Sequence, residues 1–415
     1  MSIASSQPDS GTRQATVNAV ILAAASALNG SIAPVTIILG GIVGAHLLGP
    51  DKSLATAPVA GMNIGLALGA LPAAGLMRRV GRRYGLMAGA LVGGAGALIA
   101  AGGIGIHAFW LFVAGTLSLG IALAFVQQYR FAAADTGSDA FKAKAISWVM
   151  LGGIATAIIG PQTVIFAGDI LPVPYAGAFV GAAVLCAIGL AILSGLGGEA
   201  RFPPKPDLAH GPGRPIGEIA RQPRFIVAVI SAIASFGLMS LLMTAAPLAM
   251  VGHGHSQHDA ALGIQWHVIA MFAPSFVTGH LIARFGAGTI IAVGMVLLTA
   301  AGLVGIAGFE LMNFWIGLII LGLGWNFGFI GATAMLTTTY FPAERGRVQG
   351  LNDLLVFGFV AVASLASGTL LTAAGWTIVN AVVFPVVAIC LIGLGWLALA
   401  NRKKQAAAAP PRPTS

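Results

Sequence analysis

Twelve blocks of twenty or more mostly apolar residues, parted by short charged or Pro/Gly-rich breaks, constrain this chain more than any other feature. Each block is long enough to cross a hydrocarbon core of about 30 Å. Lipid offers the backbone no hydrogen bonds, so a spanning segment is a helix or part of a closed barrel. Barrel strands alternate apolar and polar residues, and these blocks do not alternate. The breaks place helical spans near 17–40, 54–76, 84–104, 107–128, 145–167 and 174–196, then 225–249, 261–283, 288–308, 312–336, 350–373 and 376–400. Charged residues make up 8% of the chain, against about 25% in soluble domains. The expectation is an all-α membrane protein.

The basic residues test the span count. With the N-terminus in the cytoplasm, every one of the 21 Lys and Arg residues except Lys52 falls on the cytoplasmic side, as the positive-inside rule requires. Both termini are then cytoplasmic. The spans divide into bundles of six at 1–196 and 223–400, joined by a polar central loop at 197–222 and followed by a tail at 401–415. The net charge of +9 is explained by topology and by anionic lipid, the expected surroundings, rather than by a nucleic-acid partner. Cys186 and Cys390, the two cysteines, sit inside apolar runs and form no disulfide framework or CxxC motif. The run from Val17 to Leu28 is read as the first span and not as a signal peptide, because apolar sequence resumes after Asn29-Gly30-Ser31.

A repeat ties the two bundles together. Leu76-Met77-Arg78-Arg79-Val80-Gly81 and Leu281-Ile282-Ala283-Arg284-Phe285-Gly286 share the pattern L-x-x-R-x-G about half a chain apart, each after the second span of its bundle. With Arg82 and Arg83, the first copy resembles the G-x-L-x-D-R-x-G-R-R turn of the major facilitator superfamily. Arg79, Gly81, Arg82 and Arg83 match it, and Arg284 and Gly286 match its echo. The resemblance implies two pseudo-symmetric six-helix bundles, with these residues forming cytoplasmic gating turns. Arg78 stands at the family's acidic position, which takes the carboxylate out of the implied latch and leaves the basic turn.

No G-x-x-x-x-G-K-[ST] loop occurs, and no Ser/His/Asp set or carboxylate pair stands out in one segment. Neither an ATPase nor a membrane enzyme is expected. Secondary transport needing no cofactor is the default, carried out by a monomer. If protons drive it, Asp353 at the start of span 11 is the acidic candidate, although a carboxylate there also suits a helix end at the membrane boundary.

Cargo is addressed by spans 7 and 8. Met239 and Met243, and His267 and Met271, are pairs four apart on helices joined by a short outer loop. Counted inward from that loop, the two pairs lie at matching depths. Thioether and imidazole ligands are soft and neutral and suit Cu(I). His253, His255 and His258 with Asp259 in the loop could catch an ion first. Methionine is also ordinary filler in apolar helices, and a membrane histidine often bonds a neighbouring helix. The run from Gln265 to Gly286 is similar to the CcoA-like copper-importer branch of the superfamily, which also holds riboflavin-transporter-like relatives sharing these motifs. The resemblance therefore implies an inner-membrane importer working by alternating access, with copper as the leading cargo and riboflavin as the alternative. A flavin path needs aromatic and amide groups, for which Gln127, Gln128, Tyr129, Trp266 and Asn326 are candidates. A non-transporting receptor or sensor is a remote third reading, since the central loop and tail are short for a signalling domain.

Overall fold

The computed structural model describes residues 10–134, 139–197, 213–341 and 344–408. Among them every regular element is a helix. The first half holds α1 (Ser10–Asn29), α2 (Ile32–Leu47), α3 (Ala57–Val80), α4 (Arg82–Gly105), α5 (Phe109–Val126), α6 (Tyr129–Ala134), α7 (Asp139–Ala167) and α8 (Ala176–Leu193). The second holds α9 (Ile216–Ala220), α10 (Pro223–Gly252), α11 (Gln257–Phe272), α12 (Ser275–Phe285), α13 (Ala287–Ala307), α14 (Leu311–Thr337), α15 (Arg345–Ala381) and α16 (Val383–Ala408). Most of the central loop, 198–212, lies outside the described residues.

Two spans are broken and the last apolar run holds two spans, and a proline or a glycine accounts for each interruption. The first runs from Arg13 to Leu47 and is longer than the expected 17–40. It is interrupted between α1 and α2, where the ring of Pro34 opposes the carbonyl four residues earlier, that of Gly30. Span 8 bends by 41° between α11 and α12, at Ala273-Pro274. The last apolar run, Arg347–Ala400, has 54 residues, too many for one crossing. It turns back at Gly375, which has φ 78° and ψ 173° inside α15. Divided there, and with α11 and α12 taken as one span, the runs give the expected twelve.

The repeat seen in the sequence is also a repeat of backbone. Gly81 (φ 86°, ψ 162°) and Gly286 (φ 81°, ψ 150°) each form a single-residue turn between antiparallel spans, in nearly the same conformation. That region of φ/ψ space is essentially restricted to glycine. The two halves meet through α2 against α10, α3 against α15 and α7 against α11. In span numbers these are 1 with 7, 2 with 11 and 5 with 8, and exchanging the halves turns the second pair into the third. The interface therefore has the pseudo-twofold relation of the bundles it joins.

Lys52, among the described residues the one Lys or Arg at the end remote from the basic turns, has a local role. Its Nζ donates to the carbonyl oxygens of Ala45 and Leu48, placing a positive charge on the otherwise unpaired C-terminal carbonyls of α2.

Candidate transport pathway

Hydrogen bonds between the halves cluster at that same end. Thr56 Oγ1 donates to the Leu365 carbonyl (3.3 Å) and accepts from the Gly368 amide (3.1 Å). Thr369 Oγ1 donates to the Ser53 carbonyl (3.0 Å), and Gln162 Nε2 donates to Gln265 Oε1 (2.9 Å). Deeper in, Asn63 Nδ2 donates to Ser364 Oγ (2.8 Å), which is itself 2.7 Å from Ser240 Oγ, so α3, α15 and α10 are joined at one point. Towards the basic end, Leu68 and Leu71 of α3 and Leu354 of α15 are exposed, as are Gln127, Arg130 and Asp353. The conformation is sealed at one end, and polar groups of both halves are accessible near the other.

Asp353 belongs to this accessible end. Asn352 Nδ2 donates to its Oδ1 (3.1 Å), and its charge and that of Arg130 in the opposite half act on one another. Gln127 and Gln128 are at least partly accessible, whereas Tyr129 is fully buried and accepts a hydrogen bond from Asn29 Nδ2 at 2.7 Å. Trp266 is 45% exposed. Asn326 is wholly buried and holds the break in span 8 together. Its Nδ2 donates to the Met271 carbonyl (2.6 Å) and Ser275 Oγ (2.8 Å), and its Oδ1 accepts from Thr278 Oγ1 (2.6 Å). Its hydrogen bonds are thus used within the protein. In the basic turns, Arg79 and Arg284 are exposed, Arg83 lies over the Tyr84 ring (5.7 Å) and Arg284 over Phe285 (5.2 Å).

Met239, Met243, His267 and Met271 are all buried. Spans 7 and 8 are consecutive and in contact, but α10 packs chiefly on α14 and α15, and α11 on α14 and α7. His267 is turned to α14. Its Nδ1–H donates to the Leu318 carbonyl at 2.7 Å, and its Nε2 has no partner. Of the outer histidines, His253 and His255 are engaged in packing, and His258 is exposed. His253 stacks on Phe309 (4.4 Å between centroids, 8° between planes), while His255 Nε2 lies 2.8 Å from the Phe309 carbonyl. Asp259 forms a capping box with Ser256 at the start of α11. Among the described residues no group of three or more His, Cys, Asp or Glu side chains is placed to hold a metal ion.

Sequence reasoning gave little weight to an aromatic cluster in the second half. Trp325 and Phe329 of α14 stack at 5.3 Å and 14°. Phe236 of α10 meets them edge-on at 5.4 and 5.1 Å and meets Phe357 of α15 at 5.7 Å. Phe272 of α11 meets Trp325 edge-on at 6.0 Å. The four phenylalanines are half-buried, whereas Trp325 is 6% exposed and its Nε1–H has no partner. The i, i+4 spacing of Trp325 and Phe329 was the available signal. The contributions of Phe236, Phe272 and Phe357 come from packing that no local pattern records.

Known proteins bear on the same architecture. The profile of the Major Facilitator Superfamily matches residues 16–335 and 228–414. The riboflavin transporter RfnT of Brucella anthropi is 52% identical over 378 residues, covering 91% of this chain and 94% of that one. The MFS-type transporter YddS of Bacillus subtilis is 30% identical over 360 residues, covering 83% and 82%. The crystal structure of the human organic anion transporter MFSD10 (TETRAN) superposes with a TM-score of 0.60 at 16% identity, covering 94% of this chain and all of that one, a likeness of fold. These relatives do not support the copper expectation, and RfnT favours the flavin alternative. With the profile spanning both bundles and the repeated glycine turns in place, the chain belongs to the major facilitator superfamily: it is a multi-pass membrane transporter and not an enzyme.

Proposed function

We propose that this transporter takes up riboflavin across a bacterial inner membrane by alternating access of its halves, with its basic turns in the cytoplasm. What supports the cargo most is the 52% identity to a riboflavin transporter over nearly the full length of both chains. In this orientation the seal from Ser53 to Asn63 against Ser364 to Thr369 is the outer gate, and the conformation faces inward. Riboflavin is neutral, large and flat, and suits a path offering aromatic faces and few charges. Asp353, exposed near the inner end, is the group we propose for proton coupling.

Paired uptake of radiolabelled riboflavin and copper, in cells lacking their own importers for either, tests the reading. Riboflavin should accumulate and copper should not, in wild type and in Met243→Leu alike. A protonophore should abolish accumulation in wild type. Copper accumulation without riboflavin, lost in Met243→Leu and His267→Ala, would reverse the assignment.

A further inference from the structure

We infer that Trp325, Phe329 and Phe236 form the subsite that holds the planar heteroaromatic ring of the cargo, with Trp325 Nε1–H donating to a ring carbonyl or ring nitrogen. The inference rests on the flavin reading and deepens it. It starts from two observations: an indole N–H buried without a partner, and a set of half-buried rings around it.

A buried donor without an acceptor costs free energy that a partner returns. Lipid offers no acceptor at this depth. Trp325 lies near the middle of α14, and Phe236 near the middle of α10, so the donor sits at the depth where transporter sites are found. The rings packed on Trp325 can bind a flat ring by stacking and offer no hard ligand to a hydrated ion.

The approach to the cluster is marked by a charge. Phe357 lies four residues after Asp353 on α15, on the same helix face. Asp353 is exposed and interacts with Arg130 of the other half. An ionised carboxylate is excluded from lipid, so that face of α15 opens on the space between the halves. Phe236, the ring that touches Phe357, thus lies at the inner end of an accessible vestibule, on α10, which contacts the opposite half through α2. A ring entering the vestibule meets the aromatic faces first and the indole donor behind them.

Purified full-length protein and the intrinsic fluorescence of riboflavin provide the test. Stacking on these rings should quench riboflavin emission on binding. Trp325→Phe keeps an aromatic ring and removes the donor, and should weaken riboflavin about fivefold to tenfold. Phe329→Leu should weaken it roughly tenfold by removing the stacked face. Lumichrome, the ring system without the ribityl chain, should compete with riboflavin and weaken in parallel in both variants, whereas ribitol should not compete. Elution and melting temperature of each variant report folding, and either folded variant suffices to decide. If wild type binds and takes up riboflavin while the folded variants retain its affinity, the subsite is wrong and the function stands. If wild type neither binds nor takes up riboflavin, the functional reading fails and this subsite with it.

Discussion

Glu344 is only 1% exposed and accepts from the backbone amide, Nε and Nη2 of Arg214, each at 2.8 Å, and from the Phe341 amide at 2.9 Å. The guanidinium also lies 4.6 Å from the centre of the Phe341 ring. The end of the central loop is thereby fastened to the turn between spans 10 and 11. Hydrogen bonding from Arg214 outweighs desolvation and holds the carboxyl down to about 2. A folded-state pKa below the unfolded one stabilises fully above the ordinary value of 4.5 and is lost as pH falls through about 2. Glu344→Gln should therefore speed amide hydrogen exchange across residues 213–222 at neutral pH. Wild type should keep its protection down to about pH 4. Equal exchange in the two proteins would mean that the pair does not hold the loop. Sequence offered no route to this contact, because its partners are 130 residues apart. Asn326 and Tyr129 were legible only as polar groups at membrane depth. Whether such a group faces cargo or a neighbouring helix depends on rotation about the helix axis, which packing sets.

Span number and approximate limits were legible because lipid imposes a minimum apolar length on each crossing. The breaks were less so. Pro34 and Pro274 are visible in the sequence, but whether a proline kinks a span or is absorbed depends on what satisfies the freed carbonyls. In span 8 that group is Asn326, one helix away. The single-glycine turns make a sharper case. Gly286 has φ 81° and open space around the position of a Cβ, so Gly286→Ala introduces backbone strain without a clash. It should destabilise by about 1–3 kcal/mol. Gly279, exposed within α12, also has open space around it but has helical backbone. Gly279→Ala should be neutral or stabilising by up to about 1 kcal/mol. Thermal unfolding in detergent ranks the two variants, and a reversed order would remove the strain argument. The paired methionines show what spacing leaves open at this scale: it places each pair on one helix face, but how two consecutive spans face one another depends on packing, and α14 and α15 are the main neighbours of α10.

For the whole molecule, the relation between the halves decides function, and it is the least legible property in the sequence. Which end is expected to face the cytoplasm can be read from charge distribution, because each loop is counted separately. Which end is sealed in a given state depends on contacts between segments about a hundred to three hundred residues apart, such as Gln162 with Gln265 and Thr56 with Gly368. The alternating access proposed for this transporter requires the sealed end to open, so these bonds should break in every cycle. The Gln162–Gln265 pair joins α7 to α11, the pseudo-symmetric counterpart of the contact between α3 and α15. Replacing both residues, as Gln162→Cys with Gln265→Cys, and bridging them with a short reducible dithiol reagent should fix this end closed. Uptake should fall to background and return on reduction, while either single variant treated alike should transport normally. Cys186 and Cys390 are buried, so the reagent should react at the introduced pair. Binding distinguishes a locked carrier from a damaged one: in the inward-facing conformation the bridged protein should still quench riboflavin presented from the cytoplasmic side. Undiminished uptake by the bridged protein would mean that this end does not open during transport.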